Sequence, residues 1–251
     1  MISLTSKTIL ITGASRGIGA AIARSCVEAG ARVVLHYVNS REATEALAAE
    51  LEDNVVACLQ ADLGDAAAVA DLWARAEDAA GHVDALVNNA AMFVDAPLDQ
   101  GTDEWAAAWD RTMAVNLRAP ALLSKLAVAH FKARESGGTI LNIASRAGHR
   151  GDDPEMAAYA SSKGGVLALT KTIARGLGPN NIRCFAIAPG WVETDMAPSD
   201  PAGKAEALRD VPLGRMAAPS EIGALAAFLL SDLCTSATGA TFDVNGASYV
   251  R

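Results

Sequence analysis

The sequence has no apolar run approaching the ~20 residues that a membrane-crossing helix needs, so no membrane partner is expected. Positive charge is also scarce. Lys and Arg total 21 against 29 Asp and Glu, a formal net charge of −8. That balance argues against nucleic acid or an anionic membrane as the main partner, although a local basic pocket could still hold one phosphate. Only four cysteines occur, Cys26, Cys58, Cys184 and Cys234, and their scatter makes no metal-ligand spacing. Reduced, mostly buried thiols and no metal site are the expectation. Met1 to Thr12 lacks the basic segment and cleavage site of an export signal and runs straight into strand-like sequence. A cytoplasmic location is therefore expected. With no low-complexity linker and no solenoid-period repeat, residues 1–251 read as one domain.

What the sequence does have is a hydrophobic fraction of 51% in 251 residues, enough for a substantial core. Short apolar runs rich in β-branched residues fall at 8–12, 32–37, 55–60, 85–88, 139–144, 183–188 and 241–244. Each reads as a buried parallel strand covered on both faces. Helical patterns lie between them, among others at 20–29, 41–51, 66–79 and 160–177. This alternation predicts an α/β fold, a doubly wound parallel sheet of Rossmann type with helices on both faces. Ligands in such sheets bind beyond the carboxyl ends of the strands. Residues 193–220 carry four of the nine prolines and read as an irregular excursion, suited to a lid over a binding site.

The first strand ends in Thr12-Gly13-Ala14-Ser15-Arg16-Gly17-Ile18-Gly19 and passes at once into an alanine-rich helix. Glycines permit a tight turn and close backbone approach, while the helix start offers free N–H groups to a pyrophosphate. The spacing G-x-x-x-G-x-G differs from the commoner G-x-G-x-x-G, and a purely structural turn is the alternative. At the end of the second strand, a carboxylate would bind the ribose hydroxyls of NAD and a cation would accommodate the 2′-phosphate of NADP. No carboxylate appears there before Glu42, whereas Arg16, Asn39, Ser40 and Arg41 can gather around a phosphate. NADP(H) is therefore preferred, with NAD(H) as the alternative. An ordinary helix start, capped by Ser40 with Arg41 in solvent, explains the same residues.

Tyr159 and Lys163 stand at i and i+4 in a helical pattern and so share a face. An isolated tyrosine, with a pKa of ~10, is a poor acid–base catalyst near neutrality, and a neighbouring ammonium favours its phenolate. The pair means little by itself. Taken in order, Thr12 to Gly19, Asp62, Asn88-Asn89-Ala90-Ala91, Asn116, Ser145, Tyr159 with Lys163, and Pro189-Gly190 resemble the short-chain dehydrogenase/reductase family. The resemblance runs from the first strand to Val244-Asn245-Gly246. Within the family it is nearest to the 3-oxoacyl-acyl carrier protein reductases, through Pro189-Gly190-Trp191-Val192-Glu193-Thr194-Asp195-Met196 and Pro212-Leu213-Gly214-Arg215.

The resemblance implies that Tyr159 exchanges a proton with the carbonyl or alcohol oxygen. Lys163 would lower the tyrosine pKa and hold the nicotinamide ribose, and Ser145 would hydrogen-bond the substrate oxygen. Asn116 would hold a water linking Lys163 to solvent; a helix-interior amide satisfying nearby backbone is its structural alternative. On the cofactor side it implies Asp62 at the adenine amino group, with Leu63 beside it. Asn89 and Ala90 would lie along the adenosine ribose, and Val192 and Thr194, after Pro189 and Gly190, at the carboxamide. A homotetramer built on helices around 112–134 and 161–177 is also implied.

Three features depart from the family pattern. Ala91 replaces a usual glycine, and the Ser145–Tyr159 interval is 14 positions, one longer than in the reductases compared. The charged extra loop, His149 to Glu155, is expected to edge the substrate pocket. The two arginines that meet acyl carrier protein in those reductases are replaced by Ser136 and Asn180, with Lys132, Arg134 and Arg175 nearby as substitutes. Docking of that acidic partner is thereby put in doubt. The expected activity is reduction of a 3-oxoacyl-like ketone by NADP(H). Oxidation of a sugar, polyol or hydroxy acid, and a non-catalytic dinucleotide sensor or scaffold, are the alternatives.

Overall fold

Alternate residues of each apolar run face opposite sides of one sheet, so every run needs cover on both faces. The computed structural model describes all of residues 1–251. Its strands are β1 (Thr8–Ile11), β2 (Arg32–Tyr37), β3 (Val55–Gln60), β4 (Ala85–Asn88), β5 (Gly138–Ile143), β6 (Ile182–Pro189) and β7 (Thr241–Val244). All pair in parallel, in the order β3-β2-β1-β4-β5-β6-β7. The helices are α1 (Gly17–Glu28), α2 (Arg41–Leu51), α3 (Ala66–Ala80), α4 (Thr102–Met113), α5 (Ala119–Ala133), α6 (Ala147–Arg150), α7 (Ala157–Leu177), α8 (Pro201–Leu208) and α9 (Pro219–Leu230).

Ile9, Ile11, Val33 and Leu35 pack with α1, α2 and α9 on one face. Leu10, Val34, Leu86 and Ile140 pack with α3, α5 and α7 on the other. Two cores thus sandwich one sheet, as the period-2 burial of its strands requires. The chain reverses direction across the sheet between β1 and β4, which opens a crevice at their carboxyl ends. Thr12, Asn89, Ser145 and Gly190 all follow strands at that edge.

Expected strands and helices match the observed ones to within a few residues at their ends. Three points differ. Helical structure begins at Thr102, well before the expected 112, and runs to Ala133 through a π-turn at Ala114–Arg118. Such turns insert an extra residue into a helix and are frequent at functional sites. The excursion at 193–220 is less irregular than its prolines suggest, because Asp200 caps α8 by accepting from Gly203 N at 2.9 Å. Its neck is closed by Glu193 N to Ala217 O at 3.0 Å and Ala217 N to Trp191 O at 2.9 Å. The cysteines form no disulfide; Cys26 and Cys184 are buried, which pushes both thiols up to about 12. No helix is long and apolar enough to cross a membrane.

Candidate active site

The turn after β1 is held by the protein's own polar groups. Thr12 Oγ1 accepts from Asn89 N and Ala90 N at 2.9 and 3.1 Å, and the Asn89 amide donates to the Thr12 and Gly13 carbonyls. The Asn89 side chain is therefore spent on bracing the turn rather than on the ribose expected of it. Gly13 adopts φ +62°, and a Cβ on Gly19 would stand 2.2 Å from the Gly13 carbonyl oxygen. These glycines are needed for the turn to fold on itself, before any ligand is considered. Gly17 takes φ +54°, against the Thr194 methyl, so the start of the 193–220 excursion rests on the turn. Ile18 reaches back to the core. No side chain caps α1, and the backbone N–H groups from Ser15 through Gly19 meet no acceptor in the protein. That row of open donors at a helix start suits an anion.

His36, in the middle of β2, was missed in the sequence although a lone polar residue in an apolar run was the available signal. It is fully buried, accepts from Gly13 N on Nδ1 at 3.1 Å, and faces the Ala61 carbonyl through Nε2 at 3.0 Å. Those partners fix the neutral tautomer with the proton on Nε2. Burial drives its pKa down to about 4, with the Ala61 bond opposing. One ring thus ties the turn to β2 and to the end of β3.

The residues expected around a 2′-phosphate are distributed among local partners. Arg16 lies 3.4 Å from Asp195 and Arg41 3.4 Å from Glu45, all four largely exposed. Ser40 precedes α2 without a side-chain cap, its carbonyl accepting from Thr44 Oγ1 at 2.8 Å; Asn39 is exposed beside it. Asp62 Oδ1 accepts from Arg111 at 2.7 Å and Gly64 N at 2.8 Å, and these bonds hold its carboxyl below the usual range. Arg111 of α4 was not anticipated. Leu63 is buried in the core, which leaves only its backbone to face a ligand, and Ala90 packs against that core too.

Ser145 follows β5, its Oγ accepting from Ala147 N at 3.1 Å. Tyr159 and Lys163 stand one turn apart on α7, with Lys163 Nζ 5.7 Å from the Tyr159 ring centroid. Lys163 is buried and donates to the Ile143 carbonyl at 2.8 Å. Burial lowers its pKa to about 8. The expected lowering of Tyr159 is absent from this arrangement. Burial raises the phenol instead, partly offset by the Ser145 hydroxyl, with Asp152 raising it further.

The Asn116 side chain serves the backbone of Met92, as its structural alternative expected. Its Oδ1 accepts from Met92 N at 2.8 Å, and its Nδ2 donates to Met92 O and Ser162 Oγ at 2.9 and 3.3 Å. Both ends of the amide are engaged, and the π-turn is what points it at Met92. The next residue, Phe93, meets the Tyr159 ring edge-on with centroids 4.9 Å apart. Asn116 therefore fixes the segment that carries Phe93 against Tyr159.

Across from Ser145, Pro189 O accepts from Arg146 N at 2.9 Å, and Gly190 lets Asn245 approach; a Cβ there would be 2.8 Å from that of Asn245. The buried Val192 has a backbone N–H without an acceptor. Between them Trp191 carries the Arg146 guanidinium over its ring at 5.9 Å. The loop expected to edge the pocket behaves differently at its start. His149 stacks on Tyr249 at 5.6 Å near the chain end, with its Nε2 3.8 Å from Asp243. Arg134, one candidate for carrier-protein docking, is taken by Asp84 and Val83 O. Like Ser136 and Asn180, it lies at the strand starts, opposite Ser145 in this chain.

A family model described as enoyl-(acyl carrier protein) reductase matches residues 13–247. The 3beta-hydroxysteroid dehydrogenase 1 of Eggerthella lenta is 36% identical over 97% of this chain and 94% of its own. A blue fluorescent protein from a metagenomic library, solved in complex with NADPH, superposes with a TM-score of 0.91 at 34% identity, covering 99% of this chain and 100% of that one. The 3-ketoacyl-(acyl-carrier-protein) reductase of Brucella melitensis, complexed with NADH, gives 0.88 at 31% identity with the same coverage. The chain belongs to the short-chain dehydrogenase/reductase family, oxidoreductases acting on CH–OH and C=O groups.

Proposed function

We propose that this short-chain dehydrogenase/reductase is an NADP(H)-preferring ketone reductase in which Tyr159 gives its proton to the carbonyl oxygen. The observation that carries the reading is the convergence of Ser145, Tyr159 and Lys163 at the strand ends, beside the open donors of the α1 turn. The residues fit a dinucleotide. Ser15 to Gly19 would take the pyrophosphate, the Val192 N–H and Thr194 the carboxamide, and Asp62 keeps one carboxylate oxygen for the adenine amino group. A bound nicotinamide supplies the hydride, or accepts it in the reverse direction.

The chain's own groups handle the charge and the proton. Ser145 donates its hydroxyl proton to the substrate oxygen, where negative charge develops. The raised Tyr159 pKa keeps the phenol protonated through neutrality, the form a donor requires. Lys163 supplies positive charge beneath its ring and a proton to restore the phenol, with a pKa of about 8 that allows the exchange near neutrality. Phe93, held by Asn116 through Met92, closes one side of Tyr159.

NADP(H) is favoured because β2 ends without a carboxylate, while Arg16 and Arg41 are engaged only in exposed pairs. Such pairs are worth about 0–1 kcal/mol, so a phosphate can take the arginines over. A 3-oxoacyl-like ketone is the proposed substrate, free of acyl carrier protein, whose expected arginine positions hold Ser136 and Asn180. Oxidation of a hydroxy acid remains the second reading, favoured by the buried Arg146. The helices over 102–133 and 157–177 would build a cytoplasmic homotetramer, for light scattering to measure. Turnover of a carbonyl and alcohol panel with NADPH and NADH tests the main reading. Equal use of the two cofactors would remove the phosphate pocket, and no turnover with either would remove the activity.

A further inference from the structure

Arg146, Lys163 and His36 are the buried basic side chains of this protein. His36 and Lys163 have partners. Arg146, only 9% exposed, makes no side-chain hydrogen bond and no ion pair, and its Nη1 is buried without any partner. Leaving a guanidinium desolvated and unpaired is costly, and stable folds rarely tolerate it without a function. Its position supplies one. Arg146 directly follows Ser145, its N–H is fastened to the end of β6, and its guanidinium carbon lies 5.9 Å from the ring centroid of Trp191, the residue before Val192. Arg146 is thus next to Ser145 in the chain and, through Pro189 and Trp191, beside the segment that would line the nicotinamide.

We infer that Arg146 is the anchor for a carboxylate on the substrate, so that the site takes short oxo acids or the matching hydroxy acids. The inference rests on the hydride-transfer reading and narrows its substrate class. Trp191 stands beside the guanidinium, whose unpartnered N–H groups form the fork that meets a planar carboxylate through two parallel bonds. The surroundings favour a monoanion. Arg150 adds positive charge, whereas Asp152 and Asp210 add negative charge from the loop before α7 and from the lid. Neither carboxylate closes on Arg146 as an ion pair, and both would repel a dianionic phosphate more than a single carboxylate.

The test compares acetoacetate and longer oxo acids with their methyl esters, in the wild type and in Arg146→Met and Arg146→Lys. A preference for acid over ester, falling at least about 10-fold in kcat/KM ratio in Arg146→Met and partly kept in Arg146→Lys, is the expected result, since a hydrogen bond to a charged group is worth ~1.5–3 kcal/mol. Calorimetric binding of malonate to the enzyme with NADP+ should weaken in parallel, without any turnover. A wild type that prefers esters, or a preference unmoved in Arg146→Met, overturns the inference while leaving hydride transfer intact. So does a phosphonate analogue that outcompetes the carboxylate. Malonate binding that depends on Arg146 without turnover of any oxo acid or ester leaves the anchor standing and overturns the hydride-transfer reading. Should Arg146→Met fail to fold, the wild-type acid-to-ester ratio and Arg146→Lys still decide.

Discussion

The dinucleotide side of the crevice and the carbonyl side treat their polar groups in opposite ways. Around the α1 turn, Gly13 is paired with His36, Asn89 with Thr12 and Gly13, and Asp62 with Arg111. Backbone N–H groups and one Asp62 carboxylate oxygen are left open there. On the carbonyl side, burial works against the charged or reactive form of each group. Tyr159 is raised, Lys163 is lowered to about 8, and Arg146 is lowered and unpaired. The first side resembles a preorganised socket whose stability and binding reinforce one another. The second holds groups that cost stability and are retained for chemistry, the balance expected of reactive sites.

The largest break in that comparison is expected at Tyr159. Tyr159→Phe keeps the ring against Phe93 and removes only the proton. Turnover should fall roughly 10²–10⁴-fold, the contribution of a positioned acid, while nucleotide affinity falls far less. Steady-state kinetics with a parallel nucleotide titration reads both, and unchanged turnover would end the Tyr159 mechanism.

Lys163 and His36 sharpen the contrast through pH, because both are buried bases with lowered pKa values that act in different pH windows. For Lys163 the folded pKa of about 8 lies below the ordinary lysine value of 10.5. The unfolded chain therefore binds more protons between those values, and stability rises with pH across that window. Below pH 8 the buried charge costs about 3 kcal/mol at most, the full shift at 1.36 kcal/mol per unit. Lys163→Met should accordingly be more stable than wild type at pH 7, lose turnover, and lose its stability advantage by pH 10.5. Denaturant midpoints at pH 7 and 10.5 measure it. A destabilised Lys163→Met would mean that the bond to Ile143 outweighs the burial.

His36 shifts from 6.5 down to about 4. Its unfolded form takes a proton that the folded form refuses, so stability is full above pH 6.5 and falls as pH drops toward 4. The loss is of order 3 kcal/mol by the same conversion. His36→Gln offers an acceptor to Gly13 and a donor to Ala61, and should flatten the acid limb while keeping nucleotide binding. If the limb is as steep in His36→Gln, other groups carry it.

The same division explains what was legible in the sequence. Continuous apolar runs and the glycine spacing gave away the strands and the turn, because backbone geometry leaves few residues able to fill those positions. Ser145, Tyr159 and Lys163 were found through their order and their spacing. The partners were not. His36, Arg111 and Phe93 act through contacts with residues 23, 49 and 66 positions away respectively. The pairing of the Asn116 amide with Met92, 24 positions away across a π-turn, had no local sequence signal to show it. Nothing in the sequence singled out Arg146. A lone cation in sequence carries no mark of burial.

The smallest expected effect concerns Arg16, at the junction of the two sides. Its pair with Asp195 links the dinucleotide turn to the lid, but both side chains are about 70% exposed or more in solvent terms, at 68% and 75%. An exposed pair of this kind holds little energy, about 0–1 kcal/mol, and is screened by salt. Losing it should barely change folding. A 2′-phosphate, in contrast, would draw Arg16 away from Asp195 and gain a charged bond. Arg16→Ala should therefore lower kcat/KM for NADPH by roughly 10-fold, the low end for a charge-assisted bond, with a much smaller change for NADH. Asp195→Asn should move the ratio slightly the other way by releasing Arg16, and both shifts should shrink in high salt. Equal losses for the two cofactors in Arg16→Ala would place the arginine on the shared pyrophosphate. The preference for NADP(H) would then rest on Arg41 and the missing carboxylate alone.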